Sequence, residues 1–86
     1  MNKALSQTLP KVILYTKAGC HLCDEARDML DEIASEVSFL LDEVDIRSDM
    51  ELFAQYRYRI PVIVRDETII AEGRIDYEAI ASAFGI

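Results

Sequence analysis

Several features are scarce or missing in this chain, and each excludes a class of protein. Only two cysteines occur in 86 residues, which excludes the framework of structural disulfides found in small secreted proteins. No run of about 18 apolar residues occurs, so a transmembrane helix is not expected. Basic residues number nine against 16 acidic ones, and the net charge of −7 argues against nucleic acid and membranes as partners.

The 86 residues suffice for one small domain, and 51% of them are hydrophobic, which is enough for a core. Neither an internal repeat nor a low-complexity segment appears. Residues 1–10 lack periodicity and end at Pro10, so we expect a flexible N-terminal lead-in, followed by one domain over residues 11–86. Because the lead-in has no sustained apolar stretch and no cleavage pattern, we expect a cytoplasmic protein. We also expect it to be a monomer.

Apolar periodicity predicts strands and helices in the order β-α-β-α-β-β-α. The predicted elements are a strand over 11–16, a helix with an apolar stripe from 26 to 37, a strand within 37–44, a short helix from a capping box at 48–51 to about 56, strands over 60–64 and 68–72, and a helix from about 76 to 85.

The order of these elements restricts the topology of the sheet. The unbroken apolar run Val12-Ile13-Leu14 is typical of a central strand that is covered on both faces. A right-handed crossover makes the first two strands parallel, and the short link Arg65-Asp66-Glu67 makes the last two antiparallel. We therefore predict an α/β fold with a mixed four-stranded sheet of order 2-1-3-4, flanked by three helices. The loop after the first strand then lies at the carboxyl edge of the sheet, where open α/β sheets bind ligands.

Both cysteines lie in one tetrapeptide, Cys20-His21-Leu22-Cys23, between the first strand and the first helix. Such a pair can close into a reversible disulfide, and the free N–H groups and partial positive charge of a helix start lower the pKa of a thiol there. Cys20 is expected at or near the N-cap, whereas Cys23 lies one turn inside and is more shielded. The two positions in the first turn of the helix therefore predict a dithiol site in which Cys20 is the nucleophile and Cys23 resolves the intermediate.

Three stretches of the chain resemble glutaredoxins of the thioredoxin superfamily. They are residues 15–23, the Ile60-Pro61 step, and Gly73 with Asp76, and the resemblance extends from Lys11 to the C-terminus. Short bacterial glutaredoxin-like proteins are especially similar. The resemblance implies a thioredoxin/glutaredoxin-like fold and a thiol–disulfide oxidoreductase that reduces protein or glutathione mixed disulfides, with a cellular thiol as reductant.

The resemblance also implies a surface that binds the substrate disulfide or glutathione, which would be a co-substrate, with no bound cofactor. In the family the Ile60-Pro61 bond is cis and faces the cysteines. The candidate binding residues are Lys17, His21, Ile60, Pro61, Gly73 and Asp76.

Four of these candidates also have a structural explanation. Lys17 could be a solvated loop lysine, His21 an exposed first-turn residue, Pro61 the first residue of an edge strand and Asp76 a helix N-cap.

The chain departs from well-characterised glutaredoxins around this surface. Their Cys-Pro-Tyr-Cys is Cys20-His21-Leu22-Cys23 here, and their Gly-Gly before the last helix is Glu72-Gly73. The polar pair that follows is reduced to Ile75-Asp76, so half of the expected glutathione clamp is missing. Glu72 adds a negative charge that opposes the carboxylates of glutathione.

Two other functions stay open. A non-catalytic thioredoxin-like binding module would use Tyr56-Arg57-Tyr58-Arg59 as its contact surface, although the same residues fit a helix C-terminus whose arginines suit the dipole. A zinc or iron–sulfur site through Cys20 would need further ligands, and the chain has no second Cys-x-x-Cys and no distant histidine. We therefore expect no metal.

Overall fold

A computed structural model describes residues 9–86 and contains four strands and three α-helices in this range. The elements are β1 (Lys11–Thr16), α1 (His21–Ala34), β2 (Leu40–Asp45), α2 (Met50–Tyr56), β3 (Val62–Arg65), β4 (Thr68–Glu72) and α3 (Tyr77–Ala83), with a 3₁₀ turn (Ile46–Ser48) between β2 and α2. The predicted order of elements is confirmed. Of the predicted lead-in, residues 1–8 lie outside the described residues.

The four strands form one mixed sheet in the order β2-β1-β3-β4, as predicted. β1 pairs parallel with β2 and antiparallel with β3, and β3 pairs antiparallel with β4. β1, β2 and β4 therefore all end at the same edge of the sheet, where β3 begins. We call this the carboxyl edge, and the loop that carries the cysteines leaves the sheet from it.

One face of the sheet holds the larger core. α1 and α3 pack on this face because their apolar residues recur every three or four positions. The buried residues of this core are Val12, Leu14, Ala26, Leu30, Ile33, Ile63, Ile80 and Phe84. Each fully buried leucine or isoleucine contributes about 1.5–3 kcal/mol of hydrophobic stabilisation. This packing holds the first turn of α1, and so the cysteines, against the end of β1.

The opposite face is only partly covered. α2 packs there through Tyr56, whose ring stacks on Tyr15 with 4.7 Å between the ring centroids. With seven residues α2 is about 10 Å long. It leaves a groove of about 570 Å³ that includes Ile13, Tyr15 and Ile69. The prediction that β1 is covered on both faces is therefore correct for one face and wrong for part of the other.

The start of α2 also differs from the prediction. Its N-cap is Asp49, whose Oδ1 accepts the N–H groups of Glu51 at 2.8 Å and Leu52 at 3.3 Å. Ser48 was the predicted cap, but it ends the 3₁₀ turn that precedes the helix. A carboxylate next to the helix interacts more strongly with its N–H groups than a hydroxyl one residue further away.

The link between β3 and β4 is shorter than predicted. Arg65 belongs to β3, so only Asp66 and Glu67 form the turn, with φ of 47° and 73°. The Arg65 guanidinium donates from Nη1 to the Ala83 carbonyl oxygen at 2.6 Å, which ties the strand to the end of α3. Among residues 9–86, no helix has the length and apolarity needed to cross a membrane.

Candidate active site

The two cysteines form a disulfide at the first turn of α1, with 5.2 Å between their Cα atoms. Cys20 is the N-cap, as predicted, and its Sγ accepts the backbone N–H of Cys23 at 3.1 Å. Cys20 is partly exposed, whereas the exposed fraction of Cys23 is 1%. The sulfur that solvent can reach is therefore also the one that the helix start stabilises.

Backbone bonds fix the loop in front of the helix. The Cys20 N–H donates to the Lys17 carbonyl oxygen at 3.2 Å, and Gly19 has φ of +80°. Glycine tolerates this left-handed conformation, which turns the chain from β1 into α1. The loop thus delivers Cys20 to the carboxyl edge directly after the central strand.

The Ile60-Pro61 step lies beside this loop. Its peptide bond is cis, as predicted, and Pro61 is buried. In the β1–β3 ladder Tyr15 pairs with Val62, so the register places Thr16 across from Pro61. The cysteine loop and the proline therefore meet at the carboxyl edge.

Gly73 joins the same edge from the other side. Its N–H donates to the carbonyl oxygens of Pro61 at 2.8 Å and Arg59 at 3.1 Å, which ties the end of β4 to the segment before β3. Its φ is +73°, and a Cβ built at this position has nothing within 4 Å. The backbone of Gly73 is thus open to a molecule that approaches the edge.

Lys17 is half-buried and lies close enough to Asp45 for its charge to act on that carboxyl. Asp45 ends β2 and pairs with Thr16 in the parallel ladder. Hydrogen bonds from the Arg47 side chain and backbone, together with its charge and that of Lys17, lower the pKa of Asp45. The Lys17 charge therefore acts on a carboxyl at the end of β2, an influence that the sequence analysis missed. The signal was an aspartate at the end of the parallel neighbour of β1.

His21 contacts Glu25, one turn further along its own helix. Its Nε2 lies 2.9 Å from Oε2 of Glu25, and the imidazole is 85% exposed. This contact fits the simpler explanation, an exposed first-turn residue. Glu25 thus supplies an acceptor for the imidazole beside the site.

Two further residues are held by contacts of their own. Asp76 is the N-cap of α3, and its Oδ1 accepts the Ala79 N–H at 3.2 Å. Glu72, which was expected to oppose glutathione, pairs with the Arg59 guanidinium at 2.8 Å. The negative charge of Glu72 is therefore largely offset at the carboxyl edge.

The proposed contact surface Tyr56-Arg57-Tyr58-Arg59 is only partly exposed. Tyr56 has an exposed fraction of 7% because its ring belongs to the smaller core, so its inclusion was wrong. Tyr58 is 86% exposed, and Arg57 lies beside it.

The comparison with protein families decides the affiliation. The model described as Glutaredoxin-like domain (DUF836) matches residues 11–85. The chain belongs to this glutaredoxin-like family. The match runs from β1 through α3 and includes the Cys-x-x-Cys pair, so the resemblance drawn from the sequence is confirmed. Family and site together support a function of the thiol-redox type.

Curated relatives of this glutaredoxin-like protein are known in mycobacteria. Uncharacterized protein Rv0508 of Mycobacterium tuberculosis and uncharacterized protein Mb0520 of Mycobacterium bovis are each 32% identical to it over 62 residues. The match covers 66% of this chain and 64% of each relative, slightly less than two thirds of their length.

Solved structures confirm the fold. Protein Ne2328 from Nitrosomonas europaea has a TM-score of 0.75 at 25% identity, over 87% of this chain and 91% of that one. Target protein XcR50 from X. campestris has a TM-score of 0.71 at 27% identity, over 86% of this chain and 95% of that one. A mutant thioredoxin from Halobacterium salinarum has a TM-score of 0.66 at 17% identity, over 95% of this chain and 77% of that one, which shows the thioredoxin-like fold alone.

Proposed function

We propose that this glutaredoxin-like protein is a thiol–disulfide oxidoreductase in which Cys20 attacks the substrate disulfide and Cys23 resolves the intermediate. The observation that carries the proposal is the asymmetry of the pair. Cys20 is partly exposed and its Sγ accepts an N–H bond at the N-cap, whereas Cys23 is 1% exposed within the helix. A thiolate is stabilised at the first position and shielded from outside disulfides at the second.

The reaction starts from the reduced dithiol. The Cys20 thiolate attacks one sulfur of the substrate, so that a bond forms to Cys20 while the substrate S–S bond breaks and the leaving thiolate takes a proton from solvent. Cys23 then loses its proton to solvent and attacks the Cys20 sulfur, which releases the second substrate thiol. Two electrons have passed to the substrate, and the Cys20–Cys23 disulfide of the structure remains. A cellular thiol reductant reopens it.

The substrates that fit this edge are disulfide-containing proteins or glutathione mixed disulfides. An extended substrate backbone would donate an N–H to the Ile60 carbonyl oxygen, since the Ile60 N–H already donates to Tyr56, and would pass close to Gly73, where no side chain intervenes. Lys17 would attract a substrate carboxylate, and Asp76, although it caps α3, keeps a second oxygen for an ammonium group. We propose that glutathione is a co-substrate and that the protein has no resident cofactor. We also propose that the protein is a cytoplasmic monomer. Within residues 9–86, no three His, Cys, Asp or Glu side chains are grouped to hold a metal ion.

The test traps the first intermediate. Cys23→Ser removes the resolving thiol, so a mixed disulfide at Cys20 should accumulate when the reduced variant meets a glutathione or protein disulfide, and mass spectrometry identifies the adduct. The matched control, Cys20→Ser, should give no adduct under the same mild oxidation, because Cys23 is buried.

The outcomes separate the hypotheses. Adducts on the Cys20→Ser protein with none on Cys23→Ser would reverse the two roles. Full disulfide-reducing activity in Cys20→Ser would refute Cys20 as the nucleophile. A wild-type protein that reduces no disulfide in the assay and still binds a partner would refute the enzyme and leave the binding module.

A further inference from the structure

Arg57 follows the last residue of α2, and its guanidinium lies between two aromatic rings. The guanidinium carbon is 4.8 Å from the ring centroid of Phe53 and 4.8 Å from that of Tyr58. Cation–π contact with two rings holds the guanidinium in place, and the N–H groups at its rim can still bind a planar acceptor such as a carboxylate.

No carboxylate of the described residues occupies that rim. Arg27, Arg47, Arg59 and Arg65 each have a carboxylate oxygen within 4.0 Å, but among residues 9–86 Arg57 and Arg74 have none. Of these two, Arg57 is the one that lies over aromatic rings. The chain carries a net charge of −7, so an arginine left without a carboxylate is available for an external one. Tyr58 beside it is 86% exposed, and exposed tyrosine with arginine is the composition of binding hot spots.

This surface, formed by Phe53, Arg57 and Tyr58, lies near the carboxyl edge. The N–H groups of Arg59 and Ile60 both donate to the Tyr56 carbonyl oxygen, at 2.8 and 3.1 Å, so the chain turns tightly between α2 and Pro61. Four residues of chain span at most about 14 Å, which bounds the distance from the Arg57 Cα to that of Pro61. An extended peptide crosses that distance in four to five residues, at about 3.3 Å each.

The charge of the carboxyl edge favours the same partner. Three of its carboxylates already have cationic or imidazole neighbours, since Asp45 pairs with Arg47, Glu72 with Arg59 and Glu25 with His21, whereas Asp76 caps α3. The guanidinium of Arg57 therefore adds positive charge on this side of an otherwise acidic protein. Such a patch accelerates encounter with an acidic segment and disfavours a basic one.

We propose that the Phe53–Arg57–Tyr58 surface binds an acidic segment of a protein substrate whose disulfide reacts at Cys20. The inference rests on the proposed function and names its substrate class. The acidic residues lie three to six positions from the reacting cysteine, and the Arg57 rim receives one of their carboxylates. Electrons still pass from the Cys20/Cys23 dithiol to the substrate disulfide, so the surface changes the rate and selectivity and not the chemistry.

The test uses matched peptides, each with one cysteine in a mixed disulfide with a small thiol. Two peptides carry four glutamates that begin at the third residue from the cysteine, one peptide on its amino side and the other on its carboxyl side. Each has a control peptide with glutamine at the same positions. Reduced protein is mixed with each peptide in a single turnover at low salt. A disulfide of two small thiols is the reference substrate for every variant.

For the wild-type protein, we expect one glutamate peptide to be reduced about tenfold faster than its glutamine partner, with the ratio falling at high salt. Arg57→Gln should lower the ratio to about twofold or less, and Arg57→Lys should lie between, because the ammonium keeps the charge but loses the stacked fork. The control Lys11→Gln removes a positive charge at the opposite end of β1 and should keep the wild-type ratio.

An unchanged ratio in Arg57→Gln, with the reference disulfide reduced normally, overturns the inference and leaves the proposed function in place. A ratio near one in the wild-type protein has the same meaning. A protein that reduces neither the peptides nor the reference disulfide refutes the proposed function and this inference with it. An equal loss in Lys11→Gln assigns the effect to net charge and overturns the role of Arg57.

Discussion

The variant Gly73→Ala tests two features of the carboxyl edge separately: the left-handed backbone conformation of Gly73 and the open space beside it that a substrate would use. Gly73 has φ of +73°, and a Cβ added to it meets nothing within 4 Å. The methyl group therefore causes no clash inside the protein. Any effect on stability comes from the backbone conformation alone, and any further effect on rate comes from the molecule that approaches the edge.

The size of the stability effect follows from the dihedral angle. A left-handed conformation costs an L-residue roughly 1–2 kcal/mol. Alanine also restricts the unfolded chain, which offsets about 0.4–1 kcal/mol of this cost. We expect Gly73→Ala to lower the free energy of unfolding by about 1 kcal/mol, or Tm by about 4–8 °C.

Gly85→Ala is the matched control. Gly85 has φ of +81° and also has nothing within 4 Å of an added Cβ, but it lies past the end of α3. Urea unfolding of the two oxidised variants should give similar losses of stability. In a reduction assay with glutathione and peptide mixed disulfides, Gly73→Ala should be slower by about tenfold or more, because a displaced substrate loses its reactive alignment. Gly85→Ala should keep the wild-type rate.

Two results would refute this reasoning. Equal rates for the two variants would mean that no substrate backbone passes close to Gly73. A loss of stability at Gly73 well above that at Gly85 would mean that the added methyl group does collide, or that the bonds from the Gly73 N–H to Pro61 and Arg59 depend on its conformation.

Three further predictions concern the turn and two titratable groups. Glu67 has φ of +73° in the β3–β4 turn, so Glu67→Gly should stabilise the fold by about 0.5–1 kcal/mol in urea unfolding, and a loss of stability would contradict this. Burial, followed by the neighbouring Tyr56, raises the pKa of Tyr15 above 10.0, so its contribution to stability is complete below that value and is lost as the pH rises. Tyr15→Phe should therefore lose less stability than wild type in alkali, and identical alkaline unfolding curves would exclude this. Hydrogen bonds from Arg47 lower the pKa of Asp45 below 3.8, so its contribution is present above that value and is lost as the pH falls. Asp45→Asn should flatten the acid limb of the stability profile, and an unchanged limb would contradict the assignment.

The order of elements and the position of the cysteines follow from short-range patterns. The apolar spacing of α1 and the run Val12-Ile13-Leu14 predict a helix after a central strand, because each pattern is set by residues within a few positions of one another. The place of Cys20 at the N-cap follows in the same way from where the strand ends and the helix stripe begins. The cis Ile60-Pro61 step came from the family resemblance, since cis bonds are a small minority of X-Pro bonds in general.

Contacts between distant segments were beyond the reach of these patterns. The pairing of Glu72 with Arg59 depends on strand register and side-chain direction, so Glu72 was expected to oppose a substrate carboxylate and instead has a cationic partner. Which of Tyr56 and Tyr58 is buried depends on how α2 packs on Tyr15, since both lie in one short stretch of similar composition.

The sequence alone thus predicts the fold, the redox pair and its direction of attack, because each depends on neighbours along the chain. The carboxyl edge is different, because it is assembled from four segments that are far apart in sequence. Strand pairing and core packing bring those segments together. Only then is it determined which partner each charged side chain has there, and that Arg57 has no carboxylate partner within residues 9–86.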